Sequence, residues 1–293
     1  MILPLLLIAL ISASAPQALS AADAKVRIEK IIADSGAEVA VAYLPLSPDA
    51  KAEHGILIDQ EKVFHAASTM KVPVMIEAFR QAEEGRFSLD DSIAVTNTFK
   101  SIVDGSLYSM SVTEDSDGEV YKAIGKTMTV RQLVTAAITV SSNLATNILI
   151  EKLGAENVRK TVTRLDGDGM VVLRGVEDQK AFDKGLNNAT TARALMALMA
   201  AIARGQAVSP AASRGMSDIL RMQQFNDAIP AGLPADMPVG HKTGNITRIH
   251  HDAAIVYADK PYVLVVLTRG IAEPKTSAAL IAGISRVIYS IQR

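Results

Sequence analysis

Cysteine is absent from the 293-residue chain, which removes disulfides, thiolate metal sites and cysteine nucleophiles together. Any nucleophile must therefore be an oxygen or a nitrogen. Neither sign of charge prevails: 30 Lys plus Arg stand against 31 Asp plus Glu, a formal net charge of -1. Such a balance gives no overall field to draw in nucleic acid, and no basic stripe is interleaved with the few aromatics. No nucleic-acid partner is expected. With 49% hydrophobic and 21% charged residues, the composition is neither disordered, nor collagen-like, nor that of a multi-span membrane protein. The length exceeds the ~100 to 200 residues usual for one domain, so one large or two interleaved domains with a sizeable core are expected.

What is present begins with location. Ile2 to Ile11 is apolar except at Pro4, and small residues follow through Ser20-Ala21-Ala22. This is the layout of a secretory signal's apolar segment and cleavage zone, although only the amino terminus supplies its positive end. Residues 1–20 are read as a signal peptide, and the mature chain is expected in a periplasm or outside the cell. An uncleaved anchor is the weaker reading, because the run falls short of the ~20 apolar residues that span a bilayer. A lipoprotein anchor would need a cysteine, so no stable membrane anchor is expected.

Val26, Ile28, Ile31 and Ile32 share a helical face, and Gly36 stands where that helix should stop. Glu38 to Leu46 and Gly55 to Gln60 read as strands around the turn-prone Ser47-Pro48-Asp49. Strand patterns return at Pro238 to Asn245, Ala253 to Tyr257 and Tyr262 to Thr268, and short connections imply antiparallel pairing. Ser277 to Gln292 places Leu280, Ile281, Ile284, Val287, Ile288 and Ile291 along one stripe, as in a helix lying on a sheet. Between these ends the pattern is helical, near Ser68 to Gly85, Thr129 to Thr139, Ser142 to Leu153 and Thr190 to Arg204. Thr129 with Gln132 forms a capping-box start, and Gly154 and Gly205 mark stops. The fold expected is α/β (α+β): an antiparallel sheet flanked by the terminal helices, with an inserted all-α domain. The sheet domain would comprise residues 21–66 plus 210–293 and the helical domain residues 67–209, with a ligand cleft between them. Phe99 to Lys126 is a long polar loop, and loops of that length are usually functional or mobile.

The chemistry starts at Ser68-Thr69-Met70-Lys71. A lysine three residues after a serine at a helix start returns to the same face, and the helix start aims free N–H groups at any negative charge formed there. Pro73 is comfortable only in a first turn, so a tight or strained opening is expected. Alone, S-x-x-K is a weak pattern. Two further stretches follow, Ser141-Ser142-Asn143 after a helix and His241-Lys242-Thr243-Gly244 on a predicted strand. The three together resemble, in order, the S-x-x-K, S-D-N and K-T-G motifs of class A β-lactamase-type serine hydrolases. These belong to the penicillin-recognising group that also contains D-alanyl-D-alanine peptidases, and the likeness covers nearly everything after residue 20. Leu144 to Leu149, including Asn147, continues it.

The resemblance implies an acyl-enzyme on Ser68, with Lys71 accepting the proton and Ser141 relaying one to the leaving nitrogen. Asn143 would hold the substrate's amide side chain, Lys242 and Thr243 would face its carboxylate, and Gly244 would complete the third motif. The N–H groups of Ser68 and Asn245 would form the oxyanion hole. No metal or organic cofactor is implied. The expected partner is a small β-lactam or a D-Ala-type peptide, and a monomer is expected. The alternatives are a D-alanyl-D-alanine carboxypeptidase and a β-lactam sensor that acylates but deacylates slowly.

Two departures stand out. Ser142 occupies the aspartate position of S-D-N, so a hydroxyl or water must brace that loop. The E-x-x-L-N stretch, whose glutamate activates the deacylating water, is also missing. Asp183, ahead of Leu186-Asn187, imitates it with a shorter acid, and Glu177 would serve if its loop folds inward; for each the plainer reading is a surface carboxylate in a charged loop. Arg248 is a candidate for a substrate carboxylate and Tyr108 for an aromatic wall at the cleft, each with a plain surface or packing role as the alternative. In His250-His251-Asp252 neighbouring side chains point to opposite faces of a strand, which argues against a metal. Asp115-Ser116-Asp117-Gly118 lacks the twelfth-position acid of a calcium loop and reads as a solvated turn.

Overall fold

The computed structural model describes residues 19–47 and 55–291. The expected signal peptide, apart from Leu19 and Ser20, and the expected turn beyond Ser47 lie outside the described residues.

Local chemistry sets the elements in chain order. Helix α1 (Ala21–Ser35) is capped by the Ser20 hydroxyl and stops at Gly36, whose φ of 65° suits a residue without a Cβ. Strands β1 (Glu38–Pro45), β2 (Ile56–Ile58) and β3 (Phe64–His65) follow. A 3₁₀ turn over Ala67–Met70 then leads into α2 (Lys71–Glu83), so Pro73 falls in the first α-helical turn where its missing N–H costs nothing. Short strands β4 (Ser92–Ala94), β5 (Phe99–Lys100), β6 (Leu107–Tyr108) and β7 (Thr127–Thr129) frame the polar loop. Helix α3 (Val130–Thr139) begins with the reciprocal Thr129–Gln132 capping box, and α4 (Asn143–Leu153) is capped by Ser142. Then come α5 (Ala155–Arg164), α6 (Gln179–Asp183), β8 (Ala189–Thr190), α7 (Ala192–Ala203) and α8 (Pro210–Arg221). Strands β9 (Val239–Ile246), β10 (Ile249–Val256) and β11 (Tyr262–Arg269) and helix α9 (Pro274–Ser290) complete the chain.

Four eight-residue strands and the short β2 form one antiparallel sheet in the order β2-β1-β11-β10-β9. The chain's two ends meet through β1 and β11, where Glu38 faces Arg269 and Pro45 faces Tyr262. From Tyr262 to Thr268 every side chain of β11 is buried, because helices cover both faces of the sheet. On one face Val39, Val41, Leu264 and Val266 pack against Ile28 of α1 and Ile281, Ile284 and Ile288 of α9. On the other, Ala40, Ala42, Val263 and Val265 join a core that continues through α2, α3, α4 and α7. Burying each of these valine, leucine and isoleucine side chains stabilises the fold by about 1.5–3 kcal/mol. Helices α5 and α8 are absent from the sequence reading, and β10 starts earlier than its predicted Ala253, so that His250, His251 and Asp252 all lie within a strand.

Candidate active site

The S-x-x-K segment is held where three elements meet. Ala67 precedes the serine with φ 45°, a strained value for a residue with a Cβ, and Thr69 ties the turn through its N–H (3.1 Å) and hydroxyl (2.6 Å) to the Ala66 carbonyl. Strand β9 runs directly against it. A Cβ added to Gly244 would lie 3.2 Å from both the Ser68 nitrogen and the Ala67 Cβ, so the third motif needs glycine for this close approach.

Lys71, Ser141, Asn143 and Lys242 converge beside Ser68. The Lys71 ammonium donates to the Ser141 carbonyl (2.5 Å), the Ser141 hydroxyl oxygen (3.2 Å) and Asn143 Oδ1 (2.8 Å). Lys242 donates to the same Ser141 Oγ (3.1 Å) and to the Thr243 carbonyl (2.8 Å). Ser141 therefore sits between two ammonium groups, at φ 60°. Among the described residues the Ser68 hydroxyl has no hydrogen-bond partner. Ser68 instead lines a cavity of about 320 Å³ together with Ser141, Asn143, Thr243 and Asn245. The same wall bears Glu114, Ser116, Phe225, Asp227 and His250, none of which the sequence reading assigned to the site.

Burial sets the electrostatics. It pushes the Lys71 amine down to about 7, against the opposing pull of Asp115 and then Glu177. Lys242 is driven well below the ordinary lysine value, first by burial and then by the charge of Lys71, while Asp252 works the other way. In both lysines burial favours the uncharged amine, and for Lys242 the nearby charge of Lys71 adds to that effect.

The deacylation candidates part company. Glu177, at φ 62°, turns inward and lines a second opening next to Ser68, where its Oε1 accepts the Asn143 side-chain amide at 2.8 Å. Burial raises its carboxyl, an effect reinforced by Asp115 and Glu114 and opposed by the Asn143 hydrogen bond and Lys71. Asn147 clamps the loop that carries it, accepting from the Val176 N–H (2.6 Å) and donating to the Val176 carbonyl (3.0 Å). Asp183 instead ends α6, where its carboxylate accepts from exposed Gln179 (2.6 Å), outside both openings.

Arg248 and Tyr108 also fall away from the cavity that Ser68 lines. Arg248 donates to the Gly270 carbonyl (2.6 Å) at the exposed end of the β9–β10 turn. Tyr108 donates to the Val176 carbonyl (3.2 Å) behind the Glu177 loop. His250 reaches the cavity while its Nδ1 meets the Ser277 hydroxyl (2.9 Å), and His251 points the other way to the His65 carbonyl (2.9 Å). The brace missing at Ser142 comes from the polar loop. Asp115 accepts from the Asn143 N–H (3.0 Å to each oxygen) and the Leu144 N–H (3.0 Å), and Ser116 donates to the Val140 carbonyl (2.6 Å). Nothing in the Asp-Ser-Asp-Gly pattern announces this, because the partners lie more than twenty residues away.

In this three-layer α/β molecule Ser68 and Ser141 line one cavity, and the buried Lys71 and Lys242 both donate to the Ser141 hydroxyl oxygen behind it. Residues 23–292 match the model of the beta-lactamase enzyme family, and the chain belongs to that family. It is 32% identical over 147 residues to a β-lactamase of Streptomyces lavendulae, 48% of each chain. That similarity spans about half the relative's length. Against β-lactamase CTX-M-8 of Citrobacter amalonaticus it is 25% identical over 265 residues, covering 89% of this chain and 85% of the relative. An ancestral class A β-lactamase of known structure superposes with a TM-score of 0.77 at 25% identity, covering 91% of this chain and 98% of that one.

Proposed function

We propose that the chain is an exported hydrolase that opens β-lactams through an acyl-enzyme on Ser68. The observation that carries this reading is the meeting of Lys71 and Lys242 on Ser141 Oγ, at 3.2 and 3.1 Å, in a cavity lined by Ser68. Ser68 Oγ bonds to the substrate carbonyl carbon as its proton passes to neutral Lys71. The C–N bond then breaks, and the nitrogen takes a proton from Ser141, which the lysines replenish. The N–H groups of Ser68 and Asn245 receive the oxyanion, and each such donor is typically worth ~3 to 4 kcal/mol. Asn143 and Thr243 hold the substrate from either side. Glu177 takes the proton of the water that cleaves the ester, releasing the acid and restoring Ser68. Its inward position supports it over Asp183.

On this reading residues 21–66 plus 210–293 form one part and 67–209 the other, with the cleft between them; the shared core of α7 and the sheet supports close packing of the two. Export rests on residues 1–20. Among the described residues no helix is long and apolar enough to cross a membrane.

Penicillin should add its mass to Ser68, located by peptide mapping, and Ser68→Ala should take up none; a protein left unlabelled after prolonged exposure overturns the reading. The lifetime of the adduct discriminates further. Rapid loss marks a β-lactamase, persistence with D-alanine release from a peptide marks a carboxypeptidase, and persistence with neither marks a sensor.

A further inference from the structure

We propose that Asp115 is a positioning residue of the acylation site, supplying from the polar loop the brace that Ser142 does not give to the second motif. This rests on the reading of Ser68 as the acylated residue. The hydroxyl of Ser142 is committed to its own helix, accepting from the Ala145 N–H at 3.3 Å, and its carbonyl accepts the Thr146 hydroxyl at 2.7 Å. It does not reach back to the loop. Asn143 and Leu144 are the first two residues of α4, whose N–H groups have no partner within the helix and whose positive dipole end favours an anion. Both N–H groups are taken by the Asp115 carboxylate at 3.0 Å. The neighbouring Ser116 hydroxyl holds the Val140 carbonyl at 2.6 Å. Two consecutive loop residues thus grip both ends of the turn in which Ser141 keeps its positive φ.

The grip matters because Asn143 joins the two halves of the reaction. Its Oδ1 accepts from Lys71 at 2.8 Å and its Nδ2 donates to Glu177 at 2.8 Å. A shift of this residue reaches both the acylating amine and the hydrolytic carboxylate. Asp115 acts on Lys71 by charge as well. The groups facing Lys71 are Asp115 from the polar loop, Glu177 from the loop before α6 and Lys242 from β9. Asp115 is itself faced by Tyr121, whose phenol is raised by burial and then by the charges of Asp115 and Glu177.

Three variants of the full chain test this: Asp115→Asn, Asp115→Ala and the double change Asp115→Ala with Ser142→Asp. Asp115→Asn keeps an acceptor but loses the charge, so the acid limb of the acylation profile should move to lower pH. Asp115→Ala should slow acylation by roughly tenfold to a hundredfold and speed amide exchange at Asn143 and Leu144. Restoring an aspartate at 142 should recover most of the rate. Equal acylation rates and pH profiles in parent and all variants overturn the proposal, as does a loss of urea stability with no change in rate per folded molecule. Unchanged exchange at Asn143 and Leu144 in Asp115→Ala overturns the brace whether or not the parent acylates. A parent that never acylates refutes only the reading of Ser68. Should Asp115→Ala fail to fold, the profile of Asp115→Asn decides.

Discussion

Burial brings the Lys71 amine down to about 7, even though three neutral oxygens lie within its hydrogen-bond reach. A base must be neutral to take a proton, so the acylation rate should rise about tenfold per pH unit below that value and level off above it. Stopped-flow labelling between pH 5 and 8 checks this, and a flat profile would remove Lys71 as the base. Glu177→Gln should slow breakdown of the ester by ~10² to 10⁴ while labelling of Ser68 persists. Asp183→Asn, whose carboxylate accepts from Gln179 on the surface, should leave that breakdown unchanged. Both are read from adduct mass against time. At this scale the three motifs were visible as residue types at fixed spacings. Asp115, Ser116 and the inward turn of Glu177 were not, because a carboxylate in a polar loop looks the same whether it faces water or a helix terminus far along the chain.

Elements carry these residues, and their placement has its own tests. A Cβ at Gly175 would lie 2.3 Å from Asn147 Oδ1, and buried Asn147 cannot yield because its amide holds both backbone groups of Val176. Gly175→Ala should displace the loop bearing Glu177 and slow deacylation by up to ~10²-fold with labelling preserved; equal adduct lifetimes would show that the loop tolerates the change. On the far side of the sheet, Ile284→Ala in α9 should cost about 2–5 kcal/mol of stability in urea melts without changing the acylation rate. The capping box of α3 and the glycine stop of α1 were legible because caps are local chemistry. Helix α8 went unread although its sequence is amphipathic. The early start of β10 was also hidden, since His250, His251 and Asp252 look unlike strand residues until β11 and β9 cover them.

For the molecule as a whole, the sheet and the turn that carries Ser68 are linked through buried His251 and half-buried His65. His251 donates to the His65 carbonyl (2.9 Å) and accepts the Thr268 N–H (3.1 Å), and His65 accepts the Ala67 N–H (3.0 Å) next to Ser68. Burial lowers both rings, His251 to about 4. Below the ordinary histidine value of 6.5 the unfolded chain takes up protons that the folded one refuses, so stability falls with pH. From His251 alone the loss between pH 6.5 and 5 should be about 2 kcal/mol. Urea titrations at the two pH values measure it, and in His251→Gln that share of the slope should vanish. The sequence by itself determined the periodicities, the caps and the order of the three motifs, since each depends on neighbours within a few residues. Only the tertiary structure decided that Lys71 and Lys242 share one hydroxyl, that Glu177 rather than Asp183 faces Ser68, and that Asp115 braces α4. Those facts depend on which distant segments the two-sided burial of the sheet forces together, and no spacing along the chain encodes a distance through space.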